Sequence, residues 1–249
     1  MKTDKTPPKK KKTSASKRTK KSSPEESKPK LIIRNATLKD ASAIQKLSCK
    51  VYIDVPPYST AVIKGQINNY PEGQFVAEYQ GKIVGYCSTI RIPGEKALAP
   101  HTWREITAGG YGTTHDPNGD FLYGMEVFVD ENYRGLRIGE RLYNARKNLC
   151  VHFRMKGIAF GGRLPLLHKR IKKVGSAQKY IEAVEKKEIR DPVLNFQLRR
   201  EFEIIGVLDN YLPSDKESLG YASHMVWRNP EMSQRTEVST TKSVRGTTT

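Results

Sequence analysis

The 249-residue sequence is poor in cysteine and tryptophan and has no long apolar run. Its three cysteines, Cys49, Cys87 and Cys150, are odd in number, far apart and without metal-ligand spacing, so we expect reduced thiols and no metal centre. Reduced thiols are typical of the cytosol or nucleus, and a cytoplasmic location is predicted. No stretch approaches the roughly 18 apolar residues of a membrane span. The basic start has no apolar segment behind it, so we expect neither a secretory signal nor a membrane partner.

Apolar side chains are also scarce at both ends of the chain. Apart from proline, residues 1–30 contain Met1 and Ala15 as their only apolar side chains, with twelve basic and three acidic residues. Such a segment cannot bury enough surface to offset its ordering entropy. We therefore expect a disordered basic arm over 1–30, a domain over 31–230 and a disordered polar tail over 231–249. The arm is interpreted either as a contact for nucleic acid or an import signal, or as a solubilising tail.

The middle block alternates strand-like and helix-like patterns. A β-rich run ends at Thr37, which together with Asp40 matches a short capping box before a helix. Two β runs around Gln80 and Gly81 indicate a hairpin, whereas residues 93–120 are expected to form a long irregular insertion. The resulting order, β-α-α-β-β-β-α-β-α-β-β, predicts an α/β domain with a mixed central sheet flanked by helices.

The densest signal is a strand, a glycine-bearing turn and a helix within residues 122–150. Residues 134–139 lie where the unpaired N–H groups of a helix N-terminus point outward. Gly135 permits close approach of a ligand to the backbone, and Arg134 and Arg137 add positive charge. The turn therefore fits a diphosphate, although its spacing is neither GxGxxG nor GxxxxGK[ST]. The alternative is an ordinary turn whose arginines face solvent.

This turn and the order of elements resemble the GNAT superfamily of N-acetyltransferases, whose fourth strand is followed by a (Q/R)xxGx(G/A) loop. Arg134 matches the first position and Gly139 the last, while Arg137 stands where the pattern has glycine. The stretches YGMEVFVDENYRGLRIGERLY, GGRLP and YASHMVWRNP are similar to the acetyltransferase-like domain that is fused to carbon–nitrogen hydrolases of the nitrilase type. The resemblance extends from Leu31 to Pro230, and we expect no hydrolase domain in these 249 residues.

The resemblance implies a GNAT fold with acetyl-CoA, or another acyl-CoA, as co-substrate. It implies that the fourth and fifth strands separate and that pantetheine pairs, like an added strand, with the backbone of Val127, Phe128 and Val129. One N–H there would serve as oxyanion donor. The pyrophosphate would bind the loop made of Arg134, Gly135, Leu136, Arg137, Ile138 and Gly139.

Acyl transfer to an amine also needs a proton acceptor and a proton donor. Glu126 is the candidate general base, because it lies in the apolar run MEVFV, where desolvation raises the pKa of a carboxylate. The alternatives are a solvent-facing carboxylate or an ion pair with a basic neighbour such as Arg134. The tyrosine that the resemblance implies as general acid is Gln197 here, which cannot supply a proton. Tyr180 would substitute only if its helix folds back.

Three functions are compatible with these observations. The first is an acyl-CoA-dependent N-acyltransferase, most simply an N-acetyltransferase, acting on an amine of a small molecule or protein. The second is an acyl-CoA-binding or docking module without turnover, which Gln197 favours. The third is a nucleic-acid-associated protein acting through the basic arm, with binding that falls steeply as salt rises. Two loop histidines, His101 and His115, are interpreted as surface groups rather than acceptor contacts.

Overall fold

The structure is a computed structural model that describes residue 1, residues 30–53 and residues 56–232. The predicted arm (apart from residues 1 and 30) and the tail beyond residue 232 lie outside the described residues. The strands are β1 (Leu31–Asn35), β2 (Phe75–Tyr79), β3 (Lys82–Ile92), β4 (Phe121–Val129), β5 (Gly157–Gly162), β6 (Glu203–Leu208) and β7 (Ala222–Arg228). The helices are α1 (Ala41–Val51), α2 (Thr60–Asn69), α3 (Gly94–Leu98), α4 (Trp103–Thr107), α5 (Ile138–His152), α6 (Leu167–Val174), α7 (Ala177–Glu185) and α8 (Pro192–Leu198).

The strands form one sheet in which a parallel pair lies among antiparallel neighbours. Within the described residues, seven strands follow the order β1-β2-β3-β4-β5-β7-β6. β4 and β5 run parallel, whereas each other pair of neighbours runs antiparallel. The parallel pair is joined by the crossover helix α5, as such a connection requires. This is the mixed α/β sheet that the sequence predicts.

Helices cover both faces of the sheet because the strand residues alternate in direction. On one face Tyr86 belongs to a buried cluster with Ile44 of α1 and Ile63 of α2. The next residue, Cys87, points to the opposite face and packs in a cluster with Leu142 of α5. Each helix therefore buries its apolar stripe against one side of the same strands. Among the helices of the described residues, none has the length and apolar composition needed to cross a membrane.

Two local predictions are confirmed at the start of the domain. The backbone N–H of Thr37 donates to Asp40 Oδ2 at 2.8 Å, which completes the capping box. Gln80 and Gly81 have φ values of 51° and 73°, the paired positive angles of a tight type I′ hairpin between β2 and β3. Both features depend on residues adjacent in the chain, and the sequence alone therefore indicated them.

The predicted element order is incomplete between β3 and β4 and again after β5. The segment 93–120, expected to be irregular, contains the short helices α3 and α4. Thr102 caps α4 by accepting from the Glu105 N–H at 3.2 Å, and the N–H of Trp103 donates to the Tyr211 carbonyl at 2.8 Å. The basic segment after β5 forms α6, so α6, α7 and α8 all precede β6. These helices are short, and contacts with distant residues determine where they form.

Candidate active site

A cleft opens where the parallel strands β4 and β5 stop pairing. Their register ends at Tyr123 and Ala159, although β4 continues to Val129 and β5 to Gly162. Beyond that pair the strands separate and leave a cavity of about 530 Å³, which residues of α5 and α8 also line. The separation leaves one edge of β4 without a strand partner on this side. The predicted strand residues Val127, Phe128 and Val129 all line the cleft.

A buried arginine holds the bend of β4 at the point of separation. The β3–β4 register shifts between Ser88, opposite Glu126, and Thr89, opposite Gly124. Arg146 of α5 donates from Nε to Thr89 Oγ1 at 2.9 Å and from Nη2 to the carbonyls of Ser88 and Glu126 at 3.0 and 3.1 Å. A Cβ at Gly124 would lie 2.7 Å from Arg146 Nη1, so a side chain there would displace the guanidinium. The sequence analysis missed Arg146.

The basic loop before α5 is only partly directed at the cleft. Arg134 and Gly139 line the cleft, and Arg134 is also 3.7 Å from Glu131. Arg137 has φ 55° and ψ 32°, the left-handed conformation that favours the glycine of the GNAT pattern at this position. Its guanidinium donates two hydrogen bonds to Glu140, at 2.7 and 2.6 Å. The other predicted loop residues, Gly135, Leu136 and Ile138, do not line this cavity.

Helix α8 forms another wall, and its N-cap also fixes Tyr180. Asp191 Oδ1 accepts from the N–H groups of Val193 and Leu194, both at 2.9 Å. Its other oxygen accepts from the fully buried Tyr180 hydroxyl at 2.6 Å. Tyr180 therefore has a structural partner and lies outside the cleft lining, so its helix does not bring it to the position that a substitute acid requires. The cleft residues contributed by this segment, which the sequence analysis mostly missed, are Pro192, Val193, Phe196, Gln197 and Arg199.

Gln197 presents an unsatisfied polar atom at this wall. The residue is 5% exposed, and its Oε1 has no hydrogen-bond partner among the described residues. Beside it, Tyr143 of α5 also lines the cleft. The Tyr143 ring is held edge-on by Phe196, with ring centroids 5.3 Å apart. A buried amide oxygen without a partner usually marks a place for a ligand or water.

Glu126 is half-buried in the lining of the cleft and is hydrogen-bonded through both carboxylate oxygens. Oε2 accepts from the Tyr58 hydroxyl at 2.9 Å, and Oε1 accepts from the N–H of Val127 at 2.9 Å. Burial raises the pKa of Glu126, and hydrogen bonds from Tyr52 and Tyr58 offset part of that rise. Glu126 is therefore hydrogen-bonded to uncharged groups, whereas the two alternatives had it facing solvent or paired with Arg134. The Val127 N–H, a candidate oxyanion donor, is engaged by this carboxylate.

A second cavity of about 370 Å³, here called the chamber, adjoins the cleft. Tyr52, Met125, Glu126, Gly161 and Arg163 line both spaces, so the carboxylate lies at their junction. A Cβ at Gly161 would lie 2.3 Å from Cζ of Tyr211, so the tyrosine ring packs directly on this strand. The remaining lining comes from the α1–α2 connection with the first turn of α2, from the β3–β4 connection and from the β6–β7 connection. These residues are Pro56, Pro57, Tyr58, Ser59, Val62, Trp103, Gly109, Tyr211, Leu212 and Ser214.

The charge of Arg163 at the junction is already matched. Its guanidinium donates to both oxygens of Asp215 at 2.6 and 2.7 Å and to Glu217 at 3.1 Å. Burial would raise the pKa of Asp215, but the bonds from Arg163 and Ser218 outweigh it and lower that pKa. Because the hydrogen bond to Asp215 raises the pKa of Arg163, the pair stays ionised. The network ties the β6–β7 connection to the end of β5.

The histidines of the 93–120 segment have structural partners. His101 lies within hydrogen-bond distance of the Ala99 carbonyl through Nδ1 and of the Tyr123 hydroxyl through Nε2, both at 2.7 Å. Burial lowers its pKa to about 4, so the ring is neutral near pH 7. His115 accepts from the Arg91 N–H at 3.1 Å. Neither lines the cleft or the chamber. Among the described residues, no group of three or more His, Cys, Asp or Glu side chains is placed to hold a metal ion.

The parallel strands β4 and β5 separate beside the N-terminus of α5 within the mixed seven-stranded sheet of the described residues, which is the arrangement of the GNAT class of α/β fold. A model of the acetyltransferase (GNAT) family matches residues 42–161. The uncharacterized N-acetyltransferase YkwB of Bacillus subtilis is 35% identical over 205 residues, which cover 80% of this chain and 89% of YkwB. The chain therefore belongs to the GNAT acetyltransferase family.

Other relatives extend the comparison. The probable hydrolase YhcX of Bacillus subtilis is 40% identical over 200 residues, which cover 80% of this chain but 39% of YhcX. The chain thus spans well under half the length of that relative. Two solved structures share the fold: the GphF GNAT-like decarboxylase in complex with isobutyryl-CoA, with TM-score 0.70 and 24% identity, and the loading GNATL domain of CurA from Lyngbya majuscula, with TM-score 0.71 and 19% identity. The match to the GphF structure covers 80% of this chain, and the match to the CurA domain covers 81%. Each match also covers 99% of the solved chain.

Proposed function

We propose that the protein is an acyl-CoA-dependent N-acyltransferase, most simply an N-acetyltransferase, that acts on a primary amine. The observation that carries the proposal is the position of Glu126 at the junction of the cleft and the chamber. One space is suited to the acyl donor and the other to the amine. A half-buried carboxylate between them would take the first proton that the amine must lose.

The residues of the cleft fit an acyl-CoA. The unpaired edge of β4 offers the backbone of Val127, Phe128 and Val129 to an extended pantetheine arm, as an added strand would require. At the entrance, Arg134 and the N-terminus of α5 provide positive charge for the pyrophosphate. In this proposal Gly135, Leu136, Arg137, Ile138 and Gly139 contribute backbone geometry to that loop.

The chemistry follows from these groups. Acyl-CoA supplies an activated thioester carbonyl. Glu126 accepts one proton from the ammonium, which frees the nitrogen lone pair to form the new carbon–nitrogen bond. The nitrogen gives its second proton to water as the carbon–sulfur bond breaks and CoA leaves as a thiolate. Once Glu126 is protonated, its hydrogen bond to the Val127 N–H weakens, and that donor becomes available to the carbonyl oxygen. The raised pKa of Glu126 favours this proton transfer near neutral pH.

A second candidate function is acyl-CoA binding without turnover. Gln197 favours it, because this residue stands where the resemblance implies a tyrosine that protonates the leaving thiolate. A binding module would use the same cleft and would show affinity without thiol release. The nucleic-acid role and the boundaries of the arm, domain and tail depend on residues outside the described part and stay predictions.

Thiol release separates the two candidates. Purified full-length protein is incubated with acetyl-CoA and a panel of amines, free CoA is detected with a thiol reagent, and acetylated products are identified by mass spectrometry. An N-acyltransferase releases thiol in proportion to amine product. Acetyl-CoA binding without any amine-dependent thiol would refute the transferase and leave the binding module.

A further inference from the structure

The aromatic walls of the chamber have their polar atoms already hydrogen-bonded. The Tyr58 hydroxyl donates to Glu126 at 2.9 Å. Trp103 Nε1 donates to a backbone carbonyl of β4 at 3.3 Å. The hydroxyls of Tyr211 and Tyr123 share a hydrogen bond of 2.9 Å. With these groups committed, the rings of Tyr58, Trp103 and Tyr211 offer mainly their faces and edges to a ligand.

The charge of the chamber is equally restricted. Glu126 and Arg163 are the charged residues among its described lining. Arg163 is neutralised by Asp215, which is 3% exposed, and by Glu217. The unmatched charge is therefore the Glu126 carboxylate. Among the described lining residues, no further carboxylate is free to pair with a second ammonium, and a ligand carboxylate would face Glu126 and an arginine already paired.

We propose that the chamber binds a small primary amine with a single positive charge and an apolar or aromatic body, its ammonium lying between Glu126 and the aromatic faces. This rests on the proposed acyl transfer and names its acceptor class. A cation at an aromatic face is attracted by the ring quadrupole, more strongly when desolvated. The volume of about 370 Å³ is at the small end of ligand pockets and suits a small molecule.

A matched pair of amines tests the acceptor class. 2-Phenylethylamine and phenylalanine share the ring and the amine, but phenylalanine adds a carboxylate. With acetyl-CoA as donor, kcat/KM for 2-phenylethylamine should exceed that for phenylalanine by about 30-fold, because an added carboxylate is left buried and unpaired. Spermidine and a tetrapeptide with a free N-terminus should also be poorer acceptors. Equal or better activity with phenylalanine, spermidine or the tetrapeptide overturns the proposal.

Variants of the walls test the reason for the preference. Asp215→Asn uncovers the charge of Arg163, so phenylalanine should gain about tenfold relative to 2-phenylethylamine. Asp215 is buried, and Glu217→Gln provides a second variant that removes the more exposed partner and should shift the ratio in the same direction by less. Tyr58→Leu should weaken amine binding more than Tyr58→Phe, which keeps the ring. An unchanged ratio in folded Asp215→Asn and Glu217→Gln proteins overturns the charge account.

Amine binding in the absence of acyl-CoA separates the proposal about the chamber from the proposal of acyl transfer. Calorimetric titration of the full chain with 2-phenylethylamine measures the chamber alone. Binding of this amine without thiol release from any amine supports the chamber and refutes the proposed transfer. Thiol release that favours a different amine class refutes the chamber and supports the transfer. If 2-phenylethylamine does not bind and no amine causes thiol release, both the chamber proposal and the transfer proposal are refuted.

A separate observation concerns the proton that the leaving thiolate requires. Gln197 cannot donate it, and the hydroxyl of Tyr180 is committed to Asp191. Tyr143 lines the same cleft as Gln197, and Phe160, Phe196 and Phe202 hold its ring edge-on. The Arg146 guanidinium lies 5.5 Å from the centre of that ring. Burial raises the pKa of Tyr143, and the Arg146 charge and a hydrogen bond from Gln197 offset only part of that rise.

We infer that Tyr143 is the general acid of the proposed transfer. Its O–H bond breaks as an S–H bond forms on the departing thiolate, and the phenolate then regains a proton from water. The nearby Arg146 cation favours the transient phenolate. A tyrosine on α5 thus serves in place of the tyrosine that the resemblance implies on α8.

Tyr143→Phe tests this role, with Tyr180→Phe as the matched control. Tyr143→Phe should lower kcat about 100-fold with the Kd for acetyl-CoA unchanged within twofold. It should also change the alkaline side of the pH–kcat profile. Tyr180→Phe should reduce stability but leave kcat per folded protein unchanged. Restoration of kcat by adding Gln197→Tyr to Tyr143→Phe supports the inference. A kcat within threefold of the unmodified protein, or a Kd that weakens in parallel with kcat, overturns it and leaves the proposed transfer intact.

Discussion

Replacing Glu126 with glutamine should lower activity without a matching loss of stability, which distinguishes a base from a structural carboxylate. Glutamine preserves the shape and one acceptor oxygen, but it cannot take a proton from an ammonium. General-base catalysis contributes about 10² to 10⁴ in rate, so kcat/KM should fall by that factor, equivalent to roughly 2.7 to 5.5 kcal/mol of transition-state stabilisation. Acetyl-CoA affinity should change little, because the β4 backbone is retained.

The effect on stability follows from the hydrogen bonds of Glu126. A single amide oxygen cannot keep the bonds from both Tyr58 and the Val127 N–H, and the loss of one of them costs about 1 kcal/mol. Against this, the variant removes a carboxylate that burial disfavours in its charged form. At neutral pH these effects nearly cancel, and the free energy of unfolding should stay within about 1 kcal/mol of the unmodified protein or rise.

The pH dependence has a definite sign. Burial raises the pKa of Glu126 in the folded protein above its ordinary value, so the folded state holds this proton more tightly than the unfolded state. Its contribution to stability is fully present below the ordinary pKa and is lost as pH rises through the raised pKa. Glu126→Gln should abolish that loss. The acidic limb of kcat/KM, which reports the same carboxylate, should disappear with it.

The assays are thiol release between pH 4 and pH 9 and urea denaturation over the same range. Glu203→Gln is the matched control, since Glu203 lies on β6, is 67% exposed and contacts Arg228 at 3.9 Å. This control should keep the activity and the pH profile of the unmodified protein. Glu126→Gln with unchanged kcat/KM, or with activity lost only because the variant unfolds at neutral pH, would refute the assignment of Glu126 as base.

Three further variants test other parts of the account. Arg134→Glu should weaken acetyl-CoA binding at least tenfold by calorimetry, because it places a negative charge near the proposed pyrophosphate site; unchanged affinity would contradict the loop assignment. Asp191→Ala should cost about 2 to 4 kcal/mol in urea denaturation, since it removes the α8 N-cap and the acceptor of the buried Tyr180 hydroxyl; an unchanged midpoint would contradict this. Gly161→Ala should lower kcat/KM for amines more than it lowers acetyl-CoA affinity, because the new Cβ would lie 2.3 Å from the Tyr211 ring. Equal effects on both quantities would contradict the view that the Tyr211 ring shapes the chamber and not the cleft.

Local features of the sequence predicted part of the fold well. The Thr37–Asp40 capping box and the Gln80–Gly81 hairpin depend on residues close in the chain, and both are present. The strand and helix around the basic turn follow from hydrophobic periodicity, and the resemblance to GNAT proteins indicated the gap between β4 and β5. The structure also explains the one departure in the motif, because Arg137 adopts the left-handed conformation and pairs with Glu140.

Features that depend on distant residues were missed. Arg146 was not singled out from the sequence, and it is 1% exposed because its partners are on β3 and β4. Arg163 and Asp215 are 52 positions apart, so nothing in the sequence indicated that they pair beside Glu126. The chamber requires three connecting segments to meet, and one of them was expected to be irregular. A single sequence does not carry these pairings, whereas the folded chain brings them together.

Amide hydrogen exchange in the presence of acetyl-CoA tests whether this ligand binds along the free edge of β4. Saturating acetyl-CoA should slow exchange of β4 amides within residues 124–129 and of the loop 134–139, because an extended ligand pairs with the free strand edge and the pyrophosphate covers the helix N-terminus. Exchange of the edge strand β6, three positions from β4 in the sheet, should not change. Unchanged exchange in β4 and the loop at millimolar acetyl-CoA, or protection confined to other segments, would contradict the account.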